Sequence, residues 1–263
     1  MALSARRSRR PALGQHFLRD GRALARLAAA LPLGPSRTVL EIGPGEGALT
    51  QHLLASGAQV IAVEVDPRLT ERLRSRFGEA LELVEADVLA VDFAELLRSR
   101  RDERALLAGN LPYYISSPIL RKILATHEVV EAAVLLLQKE FAQRVVASPG
   151  GRDYAYLSVL TRLYAEPEEL FTVRRGAFQP PPQVDSAALR LKLRSEAEPD
   201  PRFIRFLEAA FRQPRKTLRN NLRSLFPLEA LDAAPEASRR AQELELDALR
   251  AFWLRLRAAT SST

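Results

Sequence analysis

From Thr38 to Leu137 the chain alternates between two hydrophobic rhythms. Short apolar runs at 38–42, 60–65, 81–85, 104–109 and 132–137 have the length and composition of buried strands. Between them, 3.6-residue spacing covers 48–56, 67–77 and 116–125, with Pro67 at a first helical turn and Gly57 just past a last one. Strands alternating with helices predict an α/β fold, mostly parallel, with right-handed crossovers. A short amphipathic helix at 22–31, closed by Pro32 and Gly34, precedes the first strand.

After residue 150 the rhythm changes. A helix at 156–164, an extended stretch at 170–178, Pro180-Pro181-Pro182 and a strand at 186–193 suggest an antiparallel hairpin at the sheet edge. A linker at 195–200 then leads into an all-helical tail rich in Arg and Leu. This division predicts a domain over 1–197 and a small helical domain over 198–263.

Composition narrows the chemistry. The chain has no Cys, and its three His show no ligand spacing, so thiolate catalysis is excluded and no metal site is expected. No apolar run reaches the roughly 18 residues of a membrane span, which points to a cytoplasmic protein. The Arg- and Ser-rich segment 1–14 reads as a basic arm, with an organelle-targeting peptide as the alternative.

The net charge of +7 is unevenly placed. Residues 1–26 hold seven Arg against one Asp, and residues 201–226 hold six Arg and one Lys against Glu208, so the remainder is net acidic. Two basic ends around a nucleotide-type core suit a polyanion, although a charge run alone is usually a solvated face. Arg6, Arg7, Arg9, Arg10, Arg212, Arg215, Lys216, Arg219 and Arg223 are the candidate phosphate contacts.

Candidate ligand residues fall at consecutive strand ends. Gly43, Gly45 and Gly47 follow the first strand, Glu64 ends the second, Asp87 follows the third and Asn110 ends the fourth. The carboxyl ends of parallel strands are where such sheets bind ligands, and an acid at the second strand end suits ribose hydroxyls. The G-x-G-x-G spacing disfavours a pyrophosphate site, and a turn without a ligand is the competing reading. Asp87, with the Val88 backbone beside it, could receive an adenine amino group or simply cap a turn. Asn110-Leu111-Pro112-Tyr113 combines an amide, a backbone carbonyl and an aromatic ring, a set able to grip a planar base that carries an NH2 group.

Gly14-Gln15-His16-Phe17-Leu18, Glu41-Ile42-Gly43-Pro44-Gly45-Glu46-Gly47, Glu64-Val65-Asp66, Asp87, Asn110-Leu111-Pro112-Tyr113 and the run from Phe178 to Ser186 occur in that order. Together they resemble the ribosomal RNA adenine N6,N6-dimethyltransferases. The Pro-Pro-Pro-Gln-Val-Asp-Ser run and Arg215-Lys216-Thr217-Leu218-Arg219-Asn220-Asn221-Leu222 are more similar to the small-subunit branch than to the large-subunit resistance enzymes. Gln183 stands where relatives commonly have Lys, and His16 where many have Asn.

The resemblance implies a Rossmann-like class I methyltransferase sheet, S-adenosylmethionine as cofactor and two methylations per adenosine of 16S RNA during ribosome biogenesis. The expected partner is ribosomal RNA within a small subunit or its precursor, and a monomer is the default expectation for the chain itself. The implied cofactor residues are Gln15, His16, Phe17, Leu18, Glu41, Gly43, Gly45, Glu64, Val65, Asp87, Val88 and Asn110. The catalytic set is Asn110, Leu111, Pro112, Tyr113 and Phe178, with Tyr113 and Phe178 stacking on either side of a flipped base. Tyr114 is expected at packing or at the rim. The alternatives are a large-subunit methylase and a non-catalytic nucleic-acid factor on the same fold.

Overall fold

The apolar runs become strands because their Val, Leu, Ile and Ala side chains can be buried on both faces at once. In chain order the computed structural model, which describes residues 15–98, 104–197 and 199–261, contains β1 (Phe17–Leu18), α1 (Gly21–Ala29), β2 (Thr38–Ile42), α2 (Ala48–Ala55), β3 (Gln59–Glu64), α3 (Pro67–Phe77) and β4 (Leu81–Glu85). Next come α4 (Phe93–Arg98), β5 (Ala105–Asn110), α5 (Ser116–Leu124), β6 (Val130–Gln138), α6 (Lys139–Val146) and α7 (Tyr156–Tyr164). Three strands follow: β7 (Ala165–Val173), β8 (Phe178–Gln179) and β9 (Ser186–Leu193). The tail holds α8 (Pro201–Ala210), α9 (Leu218–Leu222), α10 (Leu228–Asp232) and α11 (Leu246–Ser261).

The seven-stranded sheet runs β4-β3-β2-β5-β6-β9-β7. Its first five strands are parallel and the last two pairings antiparallel, so the expected α/β class and edge hairpin are present. All five residues of β2 are buried, as a central strand covered on both faces requires. One core layer sets Leu40, Ile42, Leu107 and Leu135 against α5, and the other sets Val39, Val60, Leu106 and Leu136 against α1 and α2.

The hairpin begins earlier than its sequence pattern suggests. Glu166, Pro167, Glu168 and Glu169 precede the extended stretch expected from residue 170, yet they lie on β7, the outermost strand. There Pro167 can leave the ladder incomplete on the open side, and Glu168 and Glu166 pair with Arg190 and Arg194 of β9. A register shift between Glu169 and Phe171 further breaks this edge. Helices α4 and α6 have no counterpart in the hydrophobic pattern. The first has six residues, started by Asp92 accepting from the Glu95 amide, and the second follows β6 without a turn.

The tail builds its own apolar cluster from Phe203, Phe206, Leu218, Leu222, Leu249, Phe252 and Trp253. Tyr154, Val159 and Leu163, all ahead of residue 197, belong to the same cluster, so α7 serves the sheet and the tail together. Among the described residues no helix is long and apolar enough to cross a membrane.

At the end of the sheet away from the loops after β2 to β5, Arg104 faces three carbonyl oxygens with one Nη2 group: His127 at 2.8 Å, Val130 at 2.6 Å and Leu193 at 2.9 Å. Burial holds this guanidinium below its ordinary pKa, yet it remains a cation, and it ties β5, β6 and β9 together. Replacing Arg104 with Gln strands those acceptors and should cost about 2–4 kcal/mol in urea denaturation. Ligand affinity at the opposite end of the strands should stay within twofold.

Candidate functional site

The loop after β2 must turn back over the strand ends, and its glycines adopt left-handed φ values of 64° at Gly43, 59° at Gly45 and 80° at Gly47. A Cβ on Gly47 would lie 2.5 Å from the Phe77 ring, and one on Gly45 would lie 2.9 Å from the Phe17 ring. A Cβ on Gly43 would meet no protein atom within 4 Å and would project into open space. That space is a cavity of about 230 Å³ at the carboxyl ends of β2, β3, β4 and β5.

Buried acids organise its walls. The Glu64 carboxylate accepts from the backbone N–H of Gly45 at 3.2 Å, Val65 at 2.9 Å and Asp66 at 3.0 Å, which locks the glycine loop to the end of β3. Loss of solvation nonetheless keeps the Glu64 carboxyl above its ordinary value. Glu41 is fully buried on β2 and accepts from the Thr50 hydroxyl at 2.6 Å. Burial pushes its carboxyl up to about 7, helped by the like charge of Glu64 and opposed by the Thr50 hydrogen bond. Asp87 receives the Leu89 amide at 2.9 Å, so it caps its own turn while also lining the cavity.

A strap formed by residues 15–19 covers one side. Its two-residue strand β1 pairs antiparallel with β8, Phe17 opposite Gln179 and Leu18 opposite Phe178. His16 Nδ1 lies 2.8 Å from the Pro180 carbonyl, which can only accept, so this nitrogen carries the hydrogen. Arg19 pairs with Glu46 of the glycine loop at 2.6 Å. Neither partner of that ion pair stands out in the sequence as a site residue, because 27 positions separate them and each belongs to a generic charged stretch.

The strap also sets the orientation of Asn110. The Asn110 Nδ2 donates to the His16 carbonyl at 2.9 Å, and a carbonyl leaves no choice about which amide atom faces it. The amide oxygen is therefore turned away from the His16 carbonyl, and it is the one acceptor on this side chain, beside the second Nδ2 hydrogen. Leu111 donates its N–H to Leu136 and turns the chain out of the sheet, and Pro112 accepts from Ile115 and from the Ser116 hydroxyl. Tyr113 lies 5.8 Å from the His16 ring, and its hydroxyl meets Ser186 Oγ at 2.7 Å. Burial raises the Tyr113 pKa, which keeps the phenol neutral.

The cavity brings together Gln15, His16, Phe17, Leu18, Glu41, Gly43, Gly45, Glu64, Val65, Asp87, Val88, Asn110, Leu111, Pro112 and Tyr113. Phe178 is not among its lining residues. It is 4% exposed and packs in the apolar layer with Leu18, its partner in the β1–β8 pair, so the structure does not bring its ring to the cavity beside Tyr113. Tyr114, expected at packing or rim, lies at the rim.

On the tail, Arg212, Arg215, Lys216 and Arg223 are exposed and form no ion pair among the described residues. Arg219 instead makes a two-pronged pair with Asp232, so its charge is already engaged. Arg6, Arg7, Arg9 and Arg10 lie outside the described residues.

Comparison with known proteins is consistent with this geometry. A family model described as "Ribosomal RNA adenine dimethylase" matches residues 6–250. A protein of Acidobacterium capsulatum named ribosomal RNA small subunit methyltransferase A is 44% identical over 256 residues, covering 93% of this chain and 90% of its own length. The protein of the same name from Pseudomonas aeruginosa is 41% identical, with 91% of each chain covered. Among solved structures, a dimethyladenosine transferase from Plasmodium falciparum superposes with a TM-score of 0.79 at 26% identity, covering 93% of this chain and 98% of that one. The 23S rRNA methyltransferase ErmE gives 0.68 at 30% identity, covering 92% and 99%.

Glu41 makes a pH dependence measurable. Its folded pKa of about 7 lies above the ordinary 4.5, so the folded state holds this proton longer. Stability from this group is full below about pH 4.5, falls as pH rises through the window to 7, and then levels off, a change of order 3 kcal/mol. Urea denaturation at pH 5, 6 and 8 should show the advantage of wild type over Glu41→Gln shrinking across that window. A constant difference would contradict it.

Proposed function

The chain belongs to the ribosomal RNA adenine dimethylase family, and on that premise we propose that it transfers two methyl groups to the N6 atom of adenosines in small-subunit ribosomal RNA. S-adenosylmethionine is its cofactor, and it supplies an electrophilic methyl carbon on a sulfonium. The residues present fit that group. The open space at Gly43 leaves room for a ligand against bare backbone, and three acidic side chains, Glu41, Glu64 and Asp87, surround a cavity suited to a cationic donor bearing ribose hydroxyls. In this reading Gln15, His16, Phe17 and Leu18 close the cavity from the strap side. Val65 and Val88 cover the apolar ring faces.

The observation that carries the catalytic assignment is the orientation of the Asn110 amide. With its nitrogen committed to the His16 carbonyl, its oxygen accepts one N6 hydrogen of the target adenine, and the Leu111 carbonyl accepts the other. Aiming both hydrogens this way draws the N6 lone pair out of conjugation and turns it toward the methyl carbon. Pro112 holds the turn, and Tyr113, fixed by Ser186, stacks on one face of the base. Positioning does most of the work, and no strong base is needed, because the methylated N6 is acidic enough to lose its proton to water.

The exposed cations Arg212, Arg215, Lys216 and Arg223 grip phosphates, with the basic segment 1–14 as a second contact. We assign the protein to the cytoplasm, acting as a monomer on a small subunit or its precursor.

Asn110→Ala should abolish dimethyladenosine formation, measured by mass spectrometry of small-subunit RNA, while donor affinity falls less than tenfold. The second methylation, which offers only one N6 hydrogen, should be the more sensitive to milder changes such as Asn110→Ser. Undiminished product would remove Asn110 from the mechanism. Replacing Arg212, Arg215, Lys216 and Arg223 with Ala should lower RNA affinity on every sequence and flatten the dependence of log K on log salt by roughly one unit per lost phosphate contact. An unchanged slope would assign these cations elsewhere.

A further inference from the structure

Resting on the assignment of an RNA adenosine as substrate, we propose that Tyr114 is a second stacking plate, holding the nucleotide next to the target and thereby setting the register in which the strand enters the cavity. The two neighbouring tyrosines have different environments. Tyr113 is half-buried, with its hydroxyl held by Ser186. Tyr114 is 63% exposed, the most exposed of the large hydrophobic side chains in the described structure, and it also lines the cavity. No hydrogen bond or ring contact engages it among the described residues.

Its backbone, by contrast, is fixed. Tyr113–Ile115 form a single 3-10 turn in which the Ile115 amide and the Ser116 hydroxyl both reach the Pro112 carbonyl. The ring is thus carried on a rigid support at the mouth, where an ordered aromatic surface gains little from water. Val65 and Leu89, 47% and 39% exposed, line the same cavity, so three of the six large hydrophobics left exposed among the described residues gather at one opening.

A nucleobase is the occupant that the neighbourhood favours. A strand whose target base sits against Tyr113 must pass the following residue of the turn, and a flat ring accepts any base by its π-face. The cofactor is the less fitting partner for Tyr114, because the acids suited to it, Glu41 and Glu64, are buried on β2 and β3.

The test uses full-length protein with an unmethylated small-subunit RNA fragment, the methylated adenosine being located by mass spectrometry. It also uses versions of that fragment made abasic at the 5′ or the 3′ neighbour. Tyr114→Ala should raise KM for the intact fragment roughly ten- to hundredfold, far more than it lowers kcat, while Tyr114→Phe stays near wild type. Donor affinity should change less than twofold. On one of the two abasic fragments the wild type and Tyr114→Ala should become equal, since both then lack the same contact. A Tyr114→Ala penalty that persists on both abasic fragments, or that appears in donor affinity instead of KM, overturns the proposal. Absence of any methylated adenosine after wild type acts on small-subunit RNA overturns the functional reading itself, a separate result.

Discussion

The Glu64 carboxylate is the interaction on which the rest of the site depends. It gathers three backbone N–H groups from two loops that leave neighbouring strands, and it does so in a place where ionisation is made costly by burial. Without it the Gly45 amide of the glycine loop and the Val65 and Asp66 amides after β3 would lose their acceptor at a buried position. With it, the loop whose backbone is left-handed at Gly43, Gly45 and Gly47 is tied to the end of β3, and Gly43 leaves its part of the cavity wall as bare peptide. Glu41 and Thr50 extend the same polar wall one strand inward.

The second organising device spans the chain. Residues 15–19 reach the connection between β7 and β9 through β1, β8 and the His16 to Pro180 contact, and the same segment presents the carbonyl that orients Asn110. Three pieces distant in sequence therefore determine one amide. The hydroxyl of Tyr113 is likewise fixed by Ser186, seventy-three residues later. This arrangement explains why the motif around Phe178 accompanies the Asn110 turn although Phe178 itself faces the core.

Much of this architecture is legible in the sequence because its causes are local. A buried parallel strand needs a continuous apolar run, and a loop that turns sharply at its end needs glycine, so β2 to β6 and the acids at their ends can be read directly. Strand β7 cannot, since its polar, Pro-containing edge sequence looks like a loop until a partner strand is known. Helix α4 is too short for periodicity, and α6 begins where no breaker marks it. The side of the sheet that Phe178 faces follows from the pairing of two-residue strands some 160 positions apart, which no pattern in either stretch encodes. The Arg219 to Asp232 pair is similar: the cation is visible in the sequence, but its engagement is a fact of tertiary contact.

The outermost strand carries one more implication. A flat, complete ladder at the border of a seven-stranded sheet would invite a second copy of the chain to continue it, especially in a protein with a strong apolar core. Here the proline, the slipped register and the acid–arginine pairs leave an incoming strand no regular row of donors and acceptors. Pairing of a second strand along that border is therefore discouraged, and the sheet is finished by its own outermost strand rather than by a neighbour.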